Sequence, residues 1–188
     1  MPDRDAGDTR QRFLAVAQEL FASQGYAGTS IADIANRLGM SKASLYYHFR
    51  SKEDMIDALL AVPLAAYAEL AETASAGRHT AEELLAAVID TTVAARGLSD
   101  TIGNDPSVQA VLGRRAEQHQ IQQINDALVA GLAGPRPGAT AKIRAHAAFV
   151  VAKQGTLAVM AAGGGRLSRG QRAELVAAAL RALSGPDR

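Results

Sequence analysis

The stretch SKASLYYHFRSKED, from Ser41 to Asp54, sets Tyr46, Tyr47 and Phe49 within four positions, with His48 between them, Lys42 before them and Arg50 and Lys52 after. The whole chain has only 4 Tyr and 4 Phe among 188 residues, and no Trp, so three rings in one place call for a reason. Phenol hydroxyls, an imidazole and ammonium groups side by side are suited to holding phosphate oxygens. From Ile34 to Lys52 the chain carries Arg37, Lys42, Arg50 and Lys52 and no acid, although its net charge is only +1. A local basic patch on a nearly neutral chain is a footprint that phosphates select. On charge alone, a solvated surface with a chance excess of four charges is an equal alternative.

Such side chains act together only if short helices present them. Ser30 caps IADIANRLG, in which Ile31, Ile34, Ala35 and Leu38 form an apolar stripe stopped at Gly39. Ser41 then opens KASLYYHF after a two-residue break. Two short helices about a tight Gly39-Met40 turn make a helix-turn-helix, with Gly39 permitting left-handed backbone. The second helix begins with Ser41, Lys42, Ala43 and Ser44, which are small or basic. That suits entry into a major groove, where bulk would clash and Lys or Ser can reach base edges. Leu45 and Phe49 are four apart and should share the inner face. Tyr46 and Tyr47 then fall on the flanks, with hydroxyls able to donate to phosphate. His48 and Lys52 are placed similarly, Lys52 at the start of the next helix, where the dipole also attracts anions. For the two tyrosines, ordinary core packing with wet hydroxyls is the alternative.

The rest of the chain supports an all-α protein: helix formers recur, and alternating β-branched runs bounded by turns are missing. Hydrophobic residues make up 48% and charged residues 21%, enough to bury a core. Asp8 with Gln11, Ser30, Ser41, Ser51 with Asp54, Thr80 with Glu83, Asp105 with Pro106, and Ser168 with Gln171 read as helix starts. About nine helices result, including one running from about Asp105 to Leu132 that could break near Gly113, and one from about Thr140 to Ala162. Pro63 lies eleven residues into the helix that starts at Lys52, so that helix should bend or end there. The division expected is 8–67 for an N-terminal helix-turn-helix domain and 68–188 for a C-terminal helical bundle.

Several function classes drop out. With no cysteine there is no disulfide, thiolate nucleophile or Cys-based zinc site, which suits a reducing cytoplasm. The start MPDRDAGDTRQRF is charged and does not read as a signal peptide. The apolar run Ala145–Ala162 contains His146, Lys153 and Gln154 and reads as a buried helix rather than a membrane span. His79, His119 and His146 lack partners at metal spacing, and no catalytic grouping has a local signature, so neither metal, cofactor nor enzyme is expected. EQHQIQQIND, Glu117–Asp126, could line a pocket through His119, Gln122 and Gln123, or form a solvated face beside Ile121, Ile124 and Leu128. The Ala-rich helices near 145–162 and 173–183 allow close approach and suggest pairing with a second copy.

The segment AVAQELFASQGYAGTSIADIANRLGMSKASLYYHFRSKEDMIDALL resembles the DNA-binding domain of TetR-family transcriptional regulators, with unbroken spacing over roughly residues 8–62. The resemblance implies a cytoplasmic homodimer that binds a palindromic DNA operator, most simply as a repressor, and is released by a small-molecule effector. A ligand-independent DNA-binding protein is the alternative. Carried over position by position, Lys42, Ala43, Ser44 and Tyr47 would read bases, and Thr29, Ser41, Tyr46, His48 and Lys52 would hold phosphates. The last two helices would form the dimer interface.

Overall fold

The computed structural model describes residues 3–95, 105–112 and 116–185, and these contain nine helices and no strand. They are α1 Asp3–Gln24, α2 Ile31–Arg37, α3 Lys42–His48, α4 Lys52–Ser75, α5 Ala81–Ala94, α6 Pro106–Leu112, α7 Ala116–Ala133, α8 Ala139–Ala162 and α9 Arg169–Ser184. Local capping chemistry explains most starts. Ser30 with Asp33, Thr80 with Glu83 and Ser168 with Gln171 each form a reciprocal capping box, which satisfies amide groups the first turn leaves without partners.

Three elements differ from expectation. α1 begins at Asp3, five residues before Asp8: Gly7 costs only about 1 kcal/mol in a helix, and acids near the start suit the dipole, so nothing forces a later start. α4 continues through Pro63 to Ser75, which removes the reading in which one helix ends there and another starts. The proline is carried because packing flanks it, with Met55 and Ile56 buried before it and Tyr67, Ala71 and Ala74 after it. α8 contains a five-residue π-helical turn, Val151–Gly155, where an uninterrupted α-helix was expected. The long segment beginning near Asp105 is two helices, α6 and α7, with residues 113–115 outside the described residues.

The chain forms two compact units. The first comprises the described residues of Met1–Val62 and Gly97–Ala116, the second those of Pro63–Arg96 and Glu117–Arg188. The core of the first is Phe13, Ala17, Leu20, Phe21, Tyr26, Ile34, Ala35, Leu45, Phe49, Met55, Ile56 and Val108. The second is built on Tyr67, Leu84, Leu85, Val88, Ile89, Leu128, Phe149, Leu175 and Val176, with small Ala residues between them. By length and composition α8 could cross a membrane, yet its Ala145, Ala148, Phe149, Ala152 and Met160 are buried against the protein's own helices.

Candidate nucleic-acid interface

The turn between α2 and α3 sets the interface. Gly39 N donates to Asn36 O at 3.0 Å and Met40 N to Ala35 O at 2.9 Å, the paired bonds of a Schellman ending. Gly39 has φ +66°, left-handed backbone that a side chain would strain. Ser41 Oγ then accepts from Ser44 N at 3.1 Å and starts α3. At the other end of α2, the Asp33 carboxylate accepts from Ser30 Oγ at 2.6 Å and Ser30 N at 2.8 Å. Those bonds, the hydroxyl's first, hold Asp33 below its ordinary pKa.

The inner side of α3 is fully used. Ile34, Ala35 and Leu45 are 0% exposed and Phe49 is 2%, so the rotation of α3 about its axis is fixed by burial. What remains outside is Ser41, Lys42 and Ala43, all exposed, with Ser44 half-buried. Tyr46 is 53% exposed and Tyr47 82%, which rules out core packing for both phenols. His48 is half-buried, its ring 5.8 Å from Phe13 and edge-on to Tyr47 at 5.2 Å. The imidazole therefore links the exposed Tyr47 ring to the core.

Two side chains expected to hold phosphate are turned inward. Thr29 is 2% exposed, and its hydroxyl donates to Gly25 O at 2.8 Å. Lys52 Nζ donates to Tyr26 O at 2.5 Å and Thr29 O at 2.7 Å, and lies 4.1 Å from the centre of the Tyr26 ring. Two of three ammonium protons are thus bound to the loop between α1 and α2, leaving one for any outside acceptor. Burial draws the Lys52 pKa down, partly offset by the carboxylates of Glu53 and Asp105. Both side chains are drawn toward the loop for the same reason: its carbonyls accept hydrogen bonds from them.

Two further residues belong to this unit. Asp105 Oδ2 accepts from Tyr26 N at 2.7 Å, while Oδ1 accepts from Ser107 N at 2.8 Å and Ser107 Oγ at 2.5 Å. These bonds, Ser107's hydroxyl first, hold its pKa below the ordinary value. The Asp-Pro-Ser spacing marks the cap of α6, but its bond to Tyr26, 79 residues away, has no sequence signal. Arg10, exposed on α1, sets its guanidinium 4.8 Å over the Phe49 ring.

The described glutamines of the Gln-rich run are exposed. Gln122 and Gln123 are exposed on α7, with Ile124 and Leu128 buried behind them, and Gln122 Nε2 donates to Asp126 Oδ1 at 3.1 Å. Both glutamines thus lie on the outward face of an amphipathic helix. The side chain of His119 lies outside the described residues. Among the described residues no cluster of three or more His, Cys, Asp or Glu could hold a metal.

A small, basic helix end flanked by two exposed phenols, fixed by a buried core behind a tight turn, has the form of a helix-turn-helix. Residues 13–59 match the family described as bacterial regulatory proteins, tetR family. Residues 13–59 therefore carry a DNA-binding domain of the kind found in TetR-family regulators. The HTH-type transcriptional repressor KstR2 of Mycobacterium tuberculosis is 44% identical over 61 residues, 31% of this chain and 30% of that one; the chain thus matches under a third of that curated relative's length. AmtR of Mycobacterium smegmatis is similar in structure with a TM-score of 0.62 and 26% identity, covering 95% of this chain and 87% of that one. NalD, the secondary repressor of the MexAB-OprM multidrug efflux pump in Pseudomonas aeruginosa, reaches a TM-score of 0.72 at 19% identity, over 95% of this chain and 97% of that one, a likeness of fold alone. Relatives of this kind are regulators, not enzymes.

Proposed function

We propose that the protein is a cytoplasmic repressor that binds a palindromic operator as a homodimer and is released by a small-molecule effector. In this reading residues 8–67 carry DNA binding, and 68–188 carry effector recognition and dimerisation. The exposure of Lys42, Ala43, Tyr46 and Tyr47 on a helix whose other face is wholly buried carries the DNA-binding part. Lys42, Ala43, Ser44 and Tyr47 read bases, and Ser41, Tyr46 and His48 hold phosphate. Ser41 keeps its O–H to donate, because only its oxygen is used as the cap. Dimerisation is supported by the outer face of α8, where Ile143 is 70% exposed and Val150 41%, with Ala147 and Ala158 along the same helix. An apolar stripe of that kind on a regulator fits a second copy related by a two-fold axis, which the two half-sites of a palindrome mirror.

Nuclease footprinting tests the DNA reading. A regulator protects one short inverted repeat, whereas a ligand-independent packaging protein protects DNA throughout. Ala158→Arg tests the assembly by placing a charge on the α8 face, and sedimentation should show a shift toward monomer. An unchanged dimer would remove that face from the interface.

A further inference from the structure

Lys153 stands within the π-helical turn of α8, half-buried, in the second unit. Its ammonium lies 5.0 Å from the centre of the Tyr67 ring and 5.6 Å from that of Phe149. Nζ donates to Asn125 Oδ1 at 3.2 Å. Tyr67 and Phe149 are only 8% and 5% exposed, and the Tyr67 hydroxyl is tied to Thr92 Oγ1 at 2.6 Å, so both rings are held by packing. Among the described residues no carboxylate reaches Lys153, and burial alone draws its pKa down. Among the described residues, two ring faces and one neutral amide compensate this partly buried cation incompletely. Three donors face one acceptor. A methionine would fill the same volume without that cost. π-helical turns within α-helices occur frequently at functional sites.

We infer that Lys153, with Asn125, Tyr67 and Phe149, forms the head-group end of the effector site, and that the effector is a carboxylate carried on an apolar body. The inference rests on the proposed release by a small molecule and names the chemical class of that molecule. The ammonium supplies the charge complement to the carboxylate, and its remaining N–H groups supply the bonds. The two rings, and the partly buried Leu64, Ala68 and Val151 packed against the same core, suit a hydrocarbon chain.

Sodium decanoate is the probe, with decan-1-ol as its uncharged counterpart, titrated calorimetrically into the full-length protein, Lys153→Met and Lys153→Gln. Decanoate should bind the parent protein, and each variant should weaken it at least tenfold, while decan-1-ol shows no such loss. Lys153→Met should also unfold at an equal or higher temperature than the parent, since a costly charge has been removed. Equal decanoate affinity in parent and variants, no decanoate binding to the parent, or a lower unfolding temperature for Lys153→Met would overturn the inference. Operator release is measured in parallel. Binding at Lys153 without release would sink the effector reading and leave the site. Release that persists in both variants would sink the site and leave the effector reading.

Discussion

Replacing Lys52 by Met keeps the aliphatic stem and removes the ammonium that ties the loop between α1 and α2 to the start of α4. The bonds lost are those to Tyr26 O and Thr29 O, together with the contact to the Tyr26 ring. A hydrogen bond from a charged donor contributes about 1.5–3 kcal/mol when shielded; the side chain here is half-exposed, so about 1 kcal/mol apiece is the working figure. The ring contact adds about 0.5 kcal/mol at a partly exposed site. Relief from burying the charge returns a fraction of that, leaving a loss of about 2 kcal/mol. Urea unfolding followed by circular dichroism should show the midpoint falling by about 1 M. Lys52→Arg, which keeps the charge but cannot reproduce both short bonds in the same space, should fall between the two. A Lys52→Met protein within about 0.5 kcal/mol of the parent, the ordinary range for surface substitutions, would refute the clamp and return the ammonium to solvent.

Other substitutions follow from the same geometry. Asp105, Asp33 and Glu83 all have folded pKa values below their ordinary 3.8, 3.8 and 4.5; their stabilisation is therefore complete above those values and is lost as pH falls through the lower folded ones. Acid unfolding should show that loss, and Asp105→Asn, which retains a capping side chain, should flatten part of the slope. Gly39→Ala meets no atom within 4 Å but must adopt φ +66°, so it should cost about 1 kcal/mol in urea unfolding from backbone strain alone. Pro63→Ala restores an amide to the interior of α4, and should stabilise the protein by up to about 3 kcal/mol on the same assay; no gain would mean that the surrounding packing has already absorbed the proline.

What the sequence made legible was local. The cap at Ser30 and the capping boxes at Thr80 and Ser168 involve residues close in sequence, and the inward pair Leu45 and Phe49 follows from helical period alone, so these appear in the structure as read. The exposed phenols follow from the same period once the inner face is known. The roles expected of Thr29 and Lys52 depended instead on where the loop carbonyls of Gly25, Tyr26 and Thr29 point, a tertiary fact no spacing encodes. The bond from Tyr26 to Asp105 is of that kind too. The π-helical turn in α8 was equally hidden, because VAKQG differs from an ordinary helical segment only in its glycine, and Gly155 lies where a Cβ would meet Leu175 Cδ2 at 3.1 Å. Gln122 and Gln123 show the converse case, a polar run whose alternatives only the burial of Ile124 and Leu128 could separate.

The assignment of α3 as the base-reading helix is tested by the affinity of Lys42→Ala for two duplexes, the footprinted operator and a scrambled sequence of equal length, over a range of salt. Lys42 is exposed at the first position of α3. Its loss should weaken operator binding by about 1–3 kcal/mol and relax preference at one or two base pairs, while the scrambled duplex is scarcely affected. An equal loss on both duplexes, with the salt slope reduced by about 1, would make Lys42 a phosphate contact and contradict the assignment.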